Sequence, residues 1–254
     1  MKLKTFKNKI ILLLRGDFNS VRYRFIMLPK EKAYYYWARV KGLSWIDFYA
    51  DRLNSFVKQN DYKIMNKNYL KSNKDTMKFL KKKGVKKHSD FLDFGCGFFR
   101  LGIVLIPYLN KLKYTGIDIA RERVEAGIKM LDQVGIKKSD YVSIINKSNI
   151  NLDETLKKKF DFIYLESVVT HMPKRDLNKL LFSFSKILKK DGSIFLTFIR
   201  GDTYKIMGVK DFIYPFSLIK EISGKAGFEA KIDNDWIDKK IPMALLRFKK
   251  DNVI

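Results

Sequence analysis

At 254 residues the chain suits one α/β domain with an N-terminal extension and is cramped for two full domains. Hydrophobic residues at 46% and aromatics at 14% supply a real core and exclude wholesale disorder, while the lone Cys96 excludes an internal disulfide framework. The formal net charge of +25 is carried mostly by lysines scattered along the chain, with short clusters at Lys81–Lys83 and Lys157–Lys159 and no arginine-rich stripe.

That charge reads first as solvated lysine faces; attraction to nucleic acid, anionic lipid or an acidic glycan is the alternative. One cysteine and two histidines make no metal-ligand cluster, so no metal is expected, and the scarcity of cysteine fits a reducing, cytoplasmic compartment. At the N-terminus a basic stretch precedes the apolar run Ile10–Leu14, which Arg15 ends after five residues. A secretory signal needs about 7–15 apolar residues and a membrane span about 20. Neither is expected.

Residues 1–89 are aromatic and basic, with helical stretches around 31–58 and 66–83, and are expected to form a helical extension or lid on a domain covering 90–254. From residue 90 onward short apolar runs alternate with helical patterns, as in a parallel sheet wrapped by helices. Strands are expected at 91–94, 114–118, 141–145, 160–165 and 193–199, the last entered by a turn at Asp191-Gly192. A helix with Leu101, Val104, Leu105 and Tyr108 on one face follows the first strand; others cover 120–133 and 174–189. Beyond residue 199 the pattern reads as a loop, a helix at about 216–226, and strands near 228–235 and 243–249.

Between the first strand and its helix lies Asp93-Phe-Gly95-Cys96-Gly97. Glycine there lets the backbone take positive φ and approach a ligand closely, and the crevice beyond the carboxyl ends of such strands is where nucleotides bind. Asp118 ends the second strand about 20 residues further on, where a carboxylate can accept both hydroxyls of a ribose. A dinucleotide site wants Gly-x-Gly-x-x-Gly, and the last position here is Arg100. The turn also carries Phe98 and Phe99, which suits a ligand without a pyrophosphate. An acid such as Asp93 at the end of the first strand favours a cationic one.

The run from Phe91 to Leu109, followed by Tyr114-Thr-Gly-Ile-Asp118, resembles motifs I and II of class I S-adenosylmethionine (SAM) dependent methyltransferases. It is most similar to a bacterial subgroup with Gly-Cys-Gly-x-(Leu/Phe)-Arg in motif I. The stretch Ser167-Val-Val-Thr-His171-Met-Pro173 resembles that subgroup's Ser-x-x-Thr-His-Leu-Pro after the fourth strand, and the likeness covers roughly 85–250. It implies a Rossmann-like seven-stranded sheet flanked by helices, with SAM as cofactor. Asp93, Gly95, Cys96 and Gly97 would line the methionine half; Asp118 would hold the ribose, with Ile119 against the adenine. Ser148 and Asn149 stand where the family often has an aspartate at the adenine amine, and Glu166 would orient the cofactor's cationic end or the acceptor. A third glycine of the general class is replaced by Phe99, as in the closer subgroup.

His171, just past the fourth strand, is the candidate general base because its ordinary pKa lies near neutrality; a loop-shaping role before Pro173 is the alternative. Arg100 either binds an anionic substrate group or caps loop carbonyls. Tyr214 and Trp236 either line an acceptor pocket or belong to the core. After the fourth strand the chain reads Leu165-Glu-Ser-Val168, without the (Asp/Asn)-Pro-Pro-(Tyr/Phe) of amino methyltransferases or the cysteine of cytosine-C5 enzymes. A hydroxyl or amine of a small molecule or, as the resemblance suggests, a cell-surface glycan is therefore the expected acceptor. An RNA methyltransferase is supported by charge alone, and a non-catalytic SAM-fold module held at an anionic membrane by the segment around Ile10–Leu14 is a third reading.

Overall fold

The computed structural model describes residues 28–59, 67–145, 152–236 and 241–249. The chain divides into two compact units, Met1–Phe48 and Tyr49–Ile254, so the division falls inside a helix rather than at the change of composition near residue 89. The apolar run Ile10–Leu14 lies outside the described residues. No helix among the described residues is long and apolar enough to cross a membrane.

In the first unit, α1 (Leu28–Val40) leads to the start of α2 (Trp45–Gln59). A single helical stretch was expected here, but Gly42 at φ +72 turns the chain and separates the two. The aromatics Tyr34, Tyr35 and Trp45 gather around Phe48, with ring centroids 5.4, 5.3 and 5.3 Å from it.

The second unit holds a seven-stranded sheet in the order β3-β2-β1-β4-β5-β10-β9. Its strands are β1 (Phe91–Phe94), β2 (Tyr114–Asp118), β3 (Val142–Ile145), β4 (Phe160–Leu165), β5 (Leu188–Thr197), β9 (Phe228–Ile232) and β10 (Met243–Phe248). The first five run parallel; β10 is antiparallel to both of its neighbours. Covered on both faces, β1 and β2 are buried at every position, which is why they read as continuous apolar runs without alternation. Helices α3 (Lys67–Lys82), α4 (Gly102–Leu105), α5 (Arg121–Gln133), α6 (Leu152–Leu156), α7 (Lys174–Ile187) and α8 (Phe216–Lys225) complete the fold. The Rossmann-like sheet expected from the resemblance is the one observed.

On α7, Leu177, Leu180, Leu181, Phe184 and Ile187 fall at three- and four-residue spacing, and all are buried. Each such leucine stabilises by about 1.5–3 kcal/mol. Three local expectations give way. The helix after β1 covers only Gly102–Leu105, because Phe99 takes φ +57 just before it and Pro107 just after it has no N–H to continue the ladder. Strand β5 begins already at Leu188, passing through Asp191-Gly192 with a register shift against β4 where a turn was expected. The stretch read as a loop after residue 199 forms a three-stranded sheet, β6 (Ile199–Arg200), β7 (Lys205–Met207) and β8 (Asp211–Tyr214), in the order β6-β8-β7.

Candidate active site

From β1 the chain steps to β2 and β3 on one side and then returns to β4 on the other. The carboxyl ends of β1 and β4 therefore flank the point where strand order reverses, the place where an open α/β sheet offers a crevice. Gly95 and Gly97 follow β1 there with φ +85 and +51, and Glu166 to His171 follow β4. A Cβ on Gly95 would lie 2.4 Å from Cγ2 of Val168, so the two loops pack too closely for any other residue at 95.

Asp118 closes this floor from β2. Its Oδ2 accepts the Gly97 N–H at 2.9 Å and its Oδ1 the Ala120 N–H at 2.8 Å. Burial pushes the carboxyl up, and the N–H groups of Ala120, Gly97 and Ile119, with the Arg123 charge, pull against it. A carboxylate has about four lone-pair sites, so beside these N–H groups it keeps capacity for a hydroxyl of a ligand. Ile119, half-buried, follows directly.

Asp93 is held differently. It is buried, and the Tyr114 hydroxyl donates to its Oδ2 at 2.5 Å. Burial raises its pKa from 3.8 to about 7; the Tyr114 hydrogen bond opposes this, and the nearby Glu166 and Asp118 charges add to it. Glu166 accepts the Tyr164 hydroxyl at 3.1 Å. Three carboxyl groups thus crowd one edge of a strongly basic protein, an arrangement that a ligand cation relieves.

Beneath the turn, Cys96 is buried against Gly116, and burial with the Asp118 and Asp93 charges pushes its thiol well up, so it stays protonated. Phe99 occupies a left-handed conformation that costs a side-chain-bearing residue about 1–2 kcal/mol. Its fully buried ring, 6.1 Å from Tyr114 and 5.5 Å from Tyr141, offsets that cost. The same ring explains Gly116 in mid-strand, where a Cβ would come within 2.6 Å of Phe99 Cε1. The bulky residue at the third-glycine position is thus a core anchor beneath the turn.

His171 ends a 3₁₀ turn after β4, and its Nδ1 lies 2.9 Å from Oδ1 of Asp211 on β8 and 3.3 Å from the Lys210 carbonyl oxygen. Nδ1–H is thereby the donor, which leaves Nε2 as the basic nitrogen. Burial pushes the Asp211 carboxyl up, but the His171 hydrogen bond and the Lys210 and Arg52 charges prevail and hold it below the usual range. The small sheet clasps this turn: the Tyr214 hydroxyl donates to the Met172 carbonyl at 2.6 Å, and the Lys174 N–H donates to the Tyr204 hydroxyl at 3.2 Å.

From α2, the Tyr49 ring lies 5.2 Å from the His171 imidazole. One turn on, Asn54 Oδ1 accepts the Glu122 N–H of α5 at 3.1 Å. Neither Tyr49 nor Asp211 was singled out in the sequence, since each is far from His171 along the chain and belongs to no motif. Of the other candidates, Trp236 is core, donating to the Ile241 carbonyl at 3.0 Å and packed 5.1 Å from Phe79, and Tyr214 is buried. The Arg100 carbonyl accepts from Asn73 at 2.6 Å, while its side chain is exposed. Ser148 and Asn149 lie outside the described residues.

Residues 92–194 match a family described as "Methyltransferase domain". A curated relative, an uncharacterised protein of Rickettsia prowazekii, is 29% identical over 110 residues, 42% of this chain and 41% of its own length. The chain therefore matches less than half of that relative. Among solved structures, SAM-bound magnesium protoporphyrin IX methyltransferase from Synechocystis is similar at a TM-score of 0.60 and 14% identity, covering 81% of this chain and 98% of its own. A SAM-dependent methyltransferase from Clostridium acetobutylicum is similar at a TM-score of 0.55 and 14% identity, covering 80% and 99%. The chain has the Rossmann-like fold of these SAM-dependent methyltransferases.

Proposed function

We propose that this protein binds SAM in the crevice between the β1 and β4 loops and transfers its methyl group to a hydroxyl, or an amine, of a small molecule or glycan. The domain match and the SAM-bound neighbours support the cofactor, and the residues present fit it. Glycines 95 and 97 let backbone approach the ligand, Asp118 keeps lone pairs for a ribose, and Asp93 with Glu166 suits a cationic methionine half. When bound, SAM supplies a methyl group on an already activated sulfonium. Ile119 would pack against the adenine, and Cys96 would shape the turn from below.

The observation that carries the acceptor side is the His171–Asp211 pair at the edge of the same crevice. Asp211 holds the imidazole by Nδ1, so Nε2 takes the proton that an acceptor hydroxyl loses as its oxygen gains the methyl. Such a base contributes about 10²–10⁴-fold. Alignment of donor and acceptor supplies more, through effective molarities of about 10⁵–10⁸ M. In this reading the part of α2 that carries Tyr49, within the extension expected over residues 1–89, covers the site as a lid, and the enzyme works in the cytoplasm.

Incubation with methyl-labelled SAM and separated glycan, lipid and RNA fractions tests the proposal. Label is expected in glycan or small-molecule hydroxyls. Label confined to RNA, with affinity falling steeply as salt rises, would replace the acceptor reading. SAM binding without turnover on any fraction would make the chain a non-catalytic module.

A further inference from the structure

The lysine clusters that the crevice leaves unused share one place in the fold. In a run of parallel strands every loop that enters a strand lies on the amino edge of the sheet, opposite the carboxyl edge where the crevice opens. Lys86 and Lys87 precede β1, Lys111 precedes β2, Lys137 precedes β3, and Lys157 and Lys159 precede β4; all six are exposed. Strands about 4.8 Å apart in the order β3-β2-β1-β4 spread these charges over roughly 15 Å. The loops are tied into one platform. The Asn110 N–H donates to the Lys87 carbonyl at 2.7 Å, and the Leu112 N–H to the Asp140 carbonyl at 2.9 Å. Lys113, Lys158 and Lys189 reach Asp90 at 3.1, 3.7 and 2.9 Å, and Lys189 also reaches Asp161 at 2.9 Å. Two carboxylates thus meet three ammonium groups, so this inner set adds to the charge of the exposed six. Asp140 offsets only Lys111, at 3.7 Å. Between Lys111 and Lys113 stands Leu112, 52% exposed and at φ +60, a conformation that asparagine or glycine takes at less cost. Nothing within the fold recovers that cost for so exposed a side chain. Val134, 45% exposed, leads into the neighbouring loop before β3.

We propose that the amino edge of the sheet is a docking surface for an anionic membrane: the exposed lysines meet phosphate headgroups, and Leu112, with Val134, enters the boundary between headgroups and acyl chains. Charge complementarity selects a polyanion, and the exposed aliphatic side chains select a bilayer. Nucleic acid is held through arginine forks and by bases stacked on aromatic rings. Residues 83–90, 110–113, 134–141 and 157–159 contain no arginine and, His88 aside, a single ring, Tyr141, which is buried. Lysine is a point charge that asks no fixed geometry of a phosphate, which suits mobile headgroups. Basic surfaces with apolar side chains at their tips lie on a bilayer without crossing it. The crevice occupies the opposite edge of the sheet, so this surface stands whether or not the methyltransferase reading does.

Flotation of the full chain with mixed phosphatidylglycerol–phosphatidylcholine vesicles, against phosphatidylcholine alone, tests the surface. Binding is expected to the mixed vesicles only, and to weaken as salt rises. Lys111→Gln, Lys157→Gln and Lys159→Gln together should lower affinity roughly 100-fold, about fivefold per lysine, the equivalent of about 1 kcal/mol each near an anionic surface. Lys179→Gln, Lys205→Gln and Lys220→Gln make the same change in net charge at exposed positions of α7, β7 and α8, and should lower it less than about threefold. Leu112→Asn suits the φ of +60, so thermal stability should hold or rise, yet affinity should fall about tenfold by a factor that salt does not change. Equal losses from the two lysine sets would overturn the surface in favour of net charge alone. Undiminished binding in the first set would overturn it by placing the contact elsewhere, such as the segment around Ile10–Leu14. Full affinity in Leu112→Asn would overturn the insertion, and with it the choice of a bilayer. Retention by homopolymeric RNA without binding to either vesicle would replace the membrane with nucleic acid.

Discussion

The two halves of the crevice are built from different materials. On the cofactor side, the turn after β1 and the end of β2 are adjacent strands, and Asp118 is fixed by backbone N–H groups at 2.9 and 2.8 Å. On the acceptor side, Tyr49, His171 and Asp211 come from α2, the turn after β4 and β8, and contacts through their side chains join them. Backbone cradles tolerate few substitutions but need few residues to specify them. Side-chain assemblies of long sequence separation depend on every element that carries them, and can be re-tuned one residue at a time. A cofactor common to many reactions suits the first construction, and an acceptor that varies suits the second.

The contrast is broken most sharply at His171. His171→Ala should lower kcat by about 10²–10⁴-fold, leave SAM affinity nearly unchanged and abolish the acidic limb of the pH–rate profile. Near-full turnover with an intact limb would make His171 a loop-shaping residue. Gly95→Ala tests the other half. Its Cβ would meet Val168 at 2.4 Å on a backbone at φ +85, so a stability loss of about 1–3 kcal/mol is expected in thermal unfolding, together with weakened SAM binding. Asp211→Asn removes a charge but keeps the shape, and kcat should fall by less than in His171→Ala, with cofactor affinity untouched.

A smaller effect follows from Asp93. In the native, ligand-free protein its proton stays on until about pH 7, whereas the unfolded chain releases it near 3.8. Between those values the native state holds the extra proton, so this group's contribution to stability falls as pH rises through the window. A cationic ligand favours the ionised form. SAM affinity should therefore strengthen as pH rises through about 7, with proton release visible as a dependence of binding heat on buffer ionisation. Asp93→Asn should flatten both trends.

The division between the halves also decides what could be read from residues alone. Phe91–Phe94, Tyr114–Asp118 and Phe160–Leu165 are fully or nearly fully buried parallel strands, and their apolar runs with terminal glycines or acids mark their ends. The cofactor turn was legible because its parts are contiguous. Phe99 was legible as an exception but not in its purpose, which depends on Gly116 across the sheet. The strand at 205–207 is fully exposed and that at 199–200 is two residues long, so neither leaves an apolar period to detect. Without those strands nothing brings Asp211 to His171. Tyr49 likewise sits in an aromatic, basic stretch whose helical pattern gave no hint of which ring would meet the imidazole.

Titration calorimetry of SAM into the purified protein, paired with thermal unfolding, bears most directly on the account. Micromolar binding is predicted, with a raised melting temperature, since a ligand at 100 times its Kd stabilises the folded state by about 2.7 kcal/mol. Asp118→Ala should lose most of that shift while remaining folded. No heat of binding to a well-folded wild type, or an undiminished shift in Asp118→Ala, would contradict it.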